Sequence, residues 1–553
     1  MSRSRLGAGG LHGTWRVLAL ALRRDRVRLL VWLAVIALVW VAFTAELAVM
    51  QDEGQLAERA LVLRGPAMIM MTGPGYGLDD YTVGAALAEE VTLWFAGALA
   101  VLSILEVVRH TRAEEESGRA ELIRAAPVGR HAAAAGALLL VTGAQAAIAA
   151  VGAAVVVSVG DVALPDALAL TGGLGLVGVL FAAVALAACQ LVEHGRTATG
   201  LSLAVFGAAF ALRAIGDAQQ SPATGDAQTS WLSWLSPIAW VQQTRAFVDL
   251  RVWPLWLIVA ATAVALACAM ALAARRDFGA GVLPARAGRA SARAWLAGPL
   301  ALAARSQGAG LAWTTLGLGL LWLGSGTVIG SLDDIRQLLE ENPLYAAVLG
   351  EGDLQNAFFA LLVLLAAVGA AAWGVASVGR LRAEETAGRT EVVLATPVAR
   401  WRWIGAQLVV SAAGTALLLL SGAVLLWAGA RLAASADAPA WQDVLALGAA
   451  HMPGALAIVV LAAALYAWLP RVGWLAWLPV AWAIVVGMFA DLFDLPDAAR
   501  AVSPFWWAPN PLTGDDPAGG DVGAAAAVTA VCGVVAVVLA LALWGFRRRG
   551  VPA

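Results

Sequence analysis

There is no lysine in these 553 residues; all 36 basic side chains are arginine. A phosphate-cradling loop of the G-x-x-x-x-G-K-[ST] type needs its lysine, so the chain holds no ordinary ATP-hydrolysing domain. A Schiff-base lysine is excluded on the same ground. Charge of either sign is scarce: 13% of residues are charged, against roughly a quarter in an average soluble domain. The three cysteines, Cys189, Cys268 and Cys532, stand far apart, each inside an apolar run. That excludes a disulfide framework and a cysteine metal site. The five histidines show no ligand spacing. Strands of alternating polarity, as in outer-membrane barrels, are missing too.

What fills the chain instead is apolar. Hydrophobic residues make up 61% and the mean hydropathy is +0.78. Apolar windows long enough to cross a bilayer as a helix, roughly 20 residues, recur throughout. Twelve spans are expected, at about 28–49, 84–108, 132–159, 166–192, 197–214, 253–274, 310–331, 355–379, 404–429, 443–469, 472–490 and 522–545. The first, starting near Leu29, exceeds a signal-peptide core of roughly 7–15 residues and reads as an uncleaved span. If the N-terminus is inside, 28 of the 36 arginines fall on the inner side. The expectation is an all-α polytopic membrane protein with both termini in the cytoplasm. The outer loops are acidic, with Asp52, Glu53, Asp79 and Asp80 in the first, Asp333, Asp334, Glu340 and Glu341 in the fourth, and Asp515, Asp516 and Asp521 in the last.

The spans come in two sets of six. LALALRR (18–24) precedes span 1 and LALAARS (300–306) precedes span 7; SPIAW (236–240) precedes span 6 and SPFWW (503–507) precedes span 12. ARRDFG (274–279) and FRRRG (546–550) follow those last two spans. This order implies a tandem duplication of a six-helix unit, with both copies pointing the same way. The expected divisions are an amphipathic N-terminal segment 1–28, a first transmembrane half 29–280, a linker 281–309 and a second half 310–553. The stretch 11–28 spaces Leu11, Trp15, Leu18 and Leu22 as on one helix face and suits a helix lying on the inner membrane surface. Its counterpart, 293–305, is broken by Pro299. The tryptophan-rich WLSWLSPIAW in the outer segment 215–252 fits an interfacial belt or short re-entrant helices.

The strongest repeat is charged. RAEEESGRAELIRAAPVGR (112–130) returns 270 residues later as RAEETAGRTEVVLATPVAR (382–400), with eleven identities. Both copies fall in inner loops, between spans 2 and 3 and between spans 8 and 9. As continuous helix, Arg112–Glu116, Glu115–Arg119 and Glu385–Arg389 stand four apart and Glu121–Arg124 three apart. Such pairs contribute only about 0.2–0.5 kcal/mol each, too little to account for so close a repeat. Gly118 and Gly388 permit a bend or a close approach, and Pro127 and Pro397 end one helix before the next begins. A partner-docking element fits better than a solvated charge run.

The pattern Glu-x-x-x-Gly-x-x-Glu-x-x-x-x-x-Pro-Val-x-Arg resembles the cytoplasmic loop of the type 2 family of ATP-binding-cassette export permeases. The duplicated form, with SPIAWVQQTRAF and ARRDFGAG, is similar to actinobacterial permeases identified as polyketide-antibiotic or multidrug exporters. The resemblance covers nearly the whole chain. It implies that each loop carries a coupling helix resting on a nucleotide-binding subunit. By position, the first copy offers Glu114, Glu115, Gly118, Arg119, Glu121, Pro127 and Arg130, and the second Glu384, Glu385, Gly388, Arg389, Glu391, Pro397 and Arg400. The copies differ at Glu116 against Thr386 and Arg124 against Leu394, which puts equal docking in question. The implied partners are two copies of a separately encoded ATPase that would hold ATP and magnesium, with no cofactor in this chain. The implied setting is a bacterial plasma membrane, the cargo a hydrophobic or amphiphilic compound, and no nucleic acid is involved.

Other signals are weaker. GPGYG (73–77) reads as turn chemistry, since a filter of carbonyl rings needs symmetric copies. Glu89 and Glu90 near the outer end of span 2 and His451 in span 10 are ionisable groups at membrane depth, so they are candidates for a substrate path. Interfacial placement is the competing reading for all three. Gly326-x-x-x-Gly330 in span 7 allows close helix packing. A proton- or ion-coupled secondary transporter is the alternative function, and an integral membrane enzyme finds no support in clustered His, Asp or Glu.

Overall fold

A computed structural model of the chain describes residues 10–64, 68, 69, 72–218, 230–283, 291, 296, 298–330, 354–432, 438–490, 495–512, 514 and 522–549. Among the described residues twelve helices of 12 to 39 residues carry the fold. They are α1 (Thr14–Asp52), α2 (Thr92–His110), α3 (Ala132–Gly160), α4 (Leu164–Leu191), α5 (Gly195–Ala218), α6 (Trp253–Arg275), α7 (Pro299–Gly330), α8 (Leu354–Thr386), α9 (Arg400–Leu432), α10 (Trp441–Trp468), α11 (Leu478–Phe489) and α12 (Ala524–Arg548). Among the described residues eleven stretches are long and apolar enough to cross a membrane. The remaining helix, α7, has 32 residues and contains most of the seventh expected span, 310–331. The protein is an all-α multi-pass membrane protein.

The chain divides into two compact units, Met1–Gly288 and Arg289–Ala553. In the first, α1 packs on α3, α2 on α4, α3 on α4 and α6 on α4. In the second, α7 packs on α9, α8 on α10, α9 on α10 and α12 on α10. The two sets of partners are the same six-helix scheme. Its hub is the fourth helix, and the buried face of α4 is correspondingly broad, including Leu170, Leu174, Val177, Phe181 and Cys189. Close packing in the second unit uses glycine: a Cβ on Gly326 of α7 would strike the Leu426 carbonyl, and one on Gly429 of α9 the Leu323 carbonyl.

One expectation about elements needs correction. The segment 11–28 is not a separate surface helix, because α1 runs unbroken for 39 residues. No Gly or Pro occurs between Thr14 and Asp52, and Gly13, at φ 82°, sets the start. Such a helix is about 58 Å long, well beyond the roughly 30 Å of hydrocarbon. Pro299 divides the counterpart segment, as expected. It occupies the first position of α7, where a missing N–H costs nothing. Before α2, the spiral widens into a π-turn over Leu87–Val91, entered from Val83–Ala86. The tryptophan-rich segment forms a 3-10 turn, Ser233–Leu235, and a short helix, Pro237–Gln242, with Trp234 stacked on Trp253 at 5.3 Å. The expected acidic positions 333–341 and 515–521 lie outside the described residues.

Candidate functional site

In the first charged loop the chain leaves α2 at Thr111 and forms two short helices, Arg112–Glu116 and Arg119–Arg124. Gly118 between them has φ 74°, and Gly388 in the second copy φ 71°. An added Cβ at either would meet no atom within 4 Å. The glycines are therefore there for a left-handed turn, not for close approach.

That turn reroutes the ion pairs. The helical pairs Glu115–Arg119 and Glu385–Arg389 do not form, because Arg119 swings back to Glu114 (3.0 and 3.2 Å) and Arg389 to Glu384 (2.6 and 2.9 Å). Glu115 instead meets Arg276, just past α6, at 2.7 and 2.8 Å. Glu385 likewise meets Arg549, just past α12, at 2.5 Å, and accepts the Tyr466 hydroxyl at 3.0 Å. Arg130 donates to the Ala273 carbonyl (3.1 Å) and Arg400 to the Arg549 carbonyl (2.7 Å). Each loop is thus bolted to the end of the sixth helix of its own unit by one glutamate and its final arginine.

The first loop has further anchors. Arg112, 1% exposed, donates to the carbonyls of Cys189, Gly279 (3.3 Å) and Ala280 (3.1 Å) and pairs with Glu115 at 2.9 Å, not with Glu116. Glu116 accepts the N–H of Gly195 at 3.0 Å. Arg124 lies over the Phe278 ring at 4.0 Å and not beside Glu121, whereas the second copy has Leu394 there. Glu114 also receives Arg24 of α1 at 2.5 Å. Behind it runs a ladder between α1 and α2: Asp25 with Arg109 (2.8 Å) and His110 (2.6 Å), and Arg28 with Glu106 (3.1 Å). The second unit has Gln307 in the place of Asp25, and Arg380, in the place of His110, donates to the Ser306 carbonyl at 3.4 Å. Gln307 pairs with Gln407 (2.9 Å) and Ser377, and Ser377 with Ser411 (2.6 Å).

What each loop leaves outside is a short acidic and apolar pair. Glu121 and Glu391 are exposed and make no ion pair among the described residues. Leu122 and Val392 beside them are 76% and 71% exposed. Pro127 and Pro397 are exposed as well. The anchors Asp25, Glu106, Arg276 and Arg549 and the apolar Leu122 and Val392 were not singled out in the sequence. The arginines inside the ARRDFG and FRRRG markers, and an acid at 106 within an apolar span, were the available signals.

The other candidates sit apart from the loops. Glu89 is 4% exposed and accepts the Thr72 hydroxyl (3.2 Å) and the N–H of Gly75 (3.0 Å). GPGYG is therefore a turn folded around this carboxylate. Glu90 is clasped by Arg59 at 2.5 and 2.8 Å and by the Tyr81 hydroxyl at 2.9 Å. Burial, then the Glu90 and Glu89 carboxylates, push the Tyr81 hydroxyl well above its ordinary pKa, so it stays a donor. Arg213 and Asp217, buried 3.3 Å apart in α5, continue this polar layer, and Asp217 accepts the Ser233 hydroxyl at 2.6 Å. At the repeat spacing of 270, Phe359 takes the place of Glu89 and is fully buried. His451 is a buried residue of α10 with Nδ1 2.9 Å from the Leu447 carbonyl and its ring 6.0 Å from Phe505.

The family described as the multidrug efflux system permease Rv1217c, C-terminal domain, matches residues 16–274 and 296–547. This chain belongs to that permease family. Each matched stretch of the permease spans one six-helix set, α1–α6 or α7–α12, and contains one charged loop. The multidrug efflux system permease protein Rv1217c of Mycobacterium tuberculosis (strain ATCC 25618 / H37Rv) is 35% identical over 557 residues, covering 98% of this permease and 96% of that protein.

Proposed function

We propose that the chain is the membrane-spanning subunit of an ATP-driven exporter, working with two copies of a separately encoded ATPase. The observation that carries this reading is the duplicated loop: each copy is bolted to its own unit's sixth helix and leaves Glu121–Leu122 or Glu391–Val392 free. That both copies present an exposed apolar side chain beside an exposed glutamate, which has no ion pair among the described residues, supports a docking role. The arginine distribution supports a cytoplasmic position for both loops, and the setting in this reading is a bacterial plasma membrane. The ATPase pair, holding ATP and magnesium, pulls on the loops as it closes, and the anchors pass that movement to α6 and α12. The two units then switch a path between inner-facing and outer-facing. The cargo class, hydrophobic or amphiphilic compounds, follows the efflux role in the relative's name.

The test is co-purification. The ATPase subunit should come down with the chain, and the double variant Glu121→Lys/Glu391→Lys should weaken that association by about tenfold, the effect of turning an attractive interface charge repulsive. Association and ATP-dependent efflux that survive the double variant unchanged would refute the docking assignment.

The buried Glu89 and the Arg213–Asp217 pair favour a second reading, proton- or ion-coupled transport. Efflux that persists without ATP, collapses with the proton gradient and is lost in Glu89→Gln would select it.

A further inference from the structure

Beneath the first charged loop lies a cavity of about 590 Å³. That is within the usual range for small-molecule sites, roughly 300–1,000 Å³. Val17, Leu20 and Ala21 of α1 form one wall; Leu122, Ile123 and Phe278 form the other. The rim is basic. Arg24 and Arg119 are spent on Glu114, and Arg112 and Arg276 on Glu115. Arg124 and Arg130 are not: among the described residues neither meets a carboxylate, Arg124 facing the Phe278 ring and Arg130 a neutral carbonyl. Asp277 is the one rim carboxylate outside those pairs, so the mouth keeps a net positive charge. His131, also on the rim, responds to it: burial first, then Arg130 and Arg124, hold its imidazole below the ordinary range.

The apolar wall continues upward. Leu20, Val27, Val31 and Leu38 follow one another at offsets of 7, 4 and 7, which is one stripe of a helix. All four are exposed, from 55% to 68%. A positive pocket at the foot of an uncovered apolar track, on a helix that crosses the bilayer, has the complementarity of an anionic amphiphile.

We propose that this cavity binds the phosphate of an anionic phospholipid, with Arg124 and Arg130 on the headgroup and an acyl chain along the Leu20–Leu38 stripe of α1. The site belongs to the first unit. At the corresponding register the second loop has Leu394 for Arg124, and LALAARS has Ser306 for Arg24. Bound lipid ties α1 to the loop at the point where the loop projects Leu122, so the membrane's anionic content sets how firmly that loop is held.

The full chain in phosphatidylcholine nanodiscs doped with phosphatidylglycerol provides the test, read by native mass spectrometry of retained lipid. Wild type should retain phosphatidylglycerol in preference to phosphatidylcholine. Arg124→Leu, which installs the second copy's residue at an exposed position, should lower that retention about tenfold, about 1.4 kcal/mol, as expected for a charge-assisted contact. Arg130→Gln should act in the same direction. Equal retention of the two lipids by wild type, or undiminished phosphatidylglycerol in both variants, overturns the proposal. Inorganic phosphate should fail to displace the lipid; displacement would identify a free-anion site and sink the lipid assignment. No ATPase or cargo is present, so the result is independent of the exporter reading.

Discussion

Arg276 and Arg549 do for the two loops what no residue within the loops does: each reaches a glutamate more than 160 positions away and ties it to the end of a spanning helix. Replacing Arg276 by Leu leaves Glu115 with Arg112 alone and removes two charge-assisted hydrogen bonds from a mostly buried carboxylate. Lost pairs of this kind cost about 1.5–3 kcal/mol each when intact geometry is otherwise kept. Amide exchange over 112–124 should therefore quicken at least about tenfold in Arg276→Leu, while the rest of α2 stays protected. Unchanged exchange would mean that the loop is held by something else. Gly118→Ala should loosen the same segment for a different reason, since a left-handed residue with a Cβ costs roughly 1–2 kcal/mol. Gly118→Asn, better suited to that region, should loosen it less. The charged phrase itself was plain in the sequence, but its pairings were not. Helical spacing assigned Arg119 to Glu115, and the Ser117–Gly118 break turned it to Glu114. Partners such as Arg276 close contacts too distant in sequence for local periodicity to register.

One element changes meaning between sequence and structure: the basic stretch before the first span. It reads as a helix lying on the inner membrane surface, with Arg16, Arg23, Arg24 and Arg26 supplying its charge. Folded, Arg24, Asp25 and Arg28 point instead at Glu114, Arg109, His110 and Glu106. Continuity of α1 was unreadable for the same reason, since a surface helix and the foot of a long span share one hydrophobic pattern. The ladder's carboxylates are buried, while Arg28 and Arg109 stay about one-third exposed. Removing the Glu106 charge costs about 1.5–3 kcal/mol, as for a lost charge-assisted contact. In the second unit Gln307, Gln407, Ser377 and Ser411 form a neutral cluster, and a lost hydroxyl there costs about 1 kcal/mol. Glu106→Gln should consequently lower the thermal stability of the detergent-solubilised protein more than Ser377→Ala does. Equal shifts would show that the ladder is screened and adds little.

At the scale of the whole molecule the duplication keeps its packing and gives up its chemistry. Each unit repeats the same helix partners, and that much was legible from the order of LALA, charged phrase, Ser-Pro and Arg-Arg markers. The divergence was legible only on the surface, at Glu116 against Thr386 and Arg124 against Leu394. Inside, Phe359 stands for Glu89 and a neutral glutamine–serine cluster for the α1–α2 ladder, substitutions hidden in apolar runs with no repeated markers. An exporter built this way should not respond evenly at its two loops. Force on Glu121 and Leu122 reaches α6 through Glu115–Arg276 and α1 through Glu114–Arg24. Force on Glu391 and Val392 reaches α12 through Glu385–Arg549, while among the described residues Glu384 pairs only with Arg389 of its own loop. Among the described residues two ion pairs leave the first loop for its helices and one leaves the second, which predicts unequal losses. Glu121→Lys alone should cut ATP-dependent efflux of a hydrophobic dye more deeply than Glu391→Lys alone, with both chains present in the membrane at equal level. If Arg24→Leu is then added, the remaining route is the same on both sides, and the two charge-reversal variants should fall to comparable rates. A deficit that is equal from the start, or greater for Glu391→Lys, would show that docking strength and not anchorage decides which loop leads.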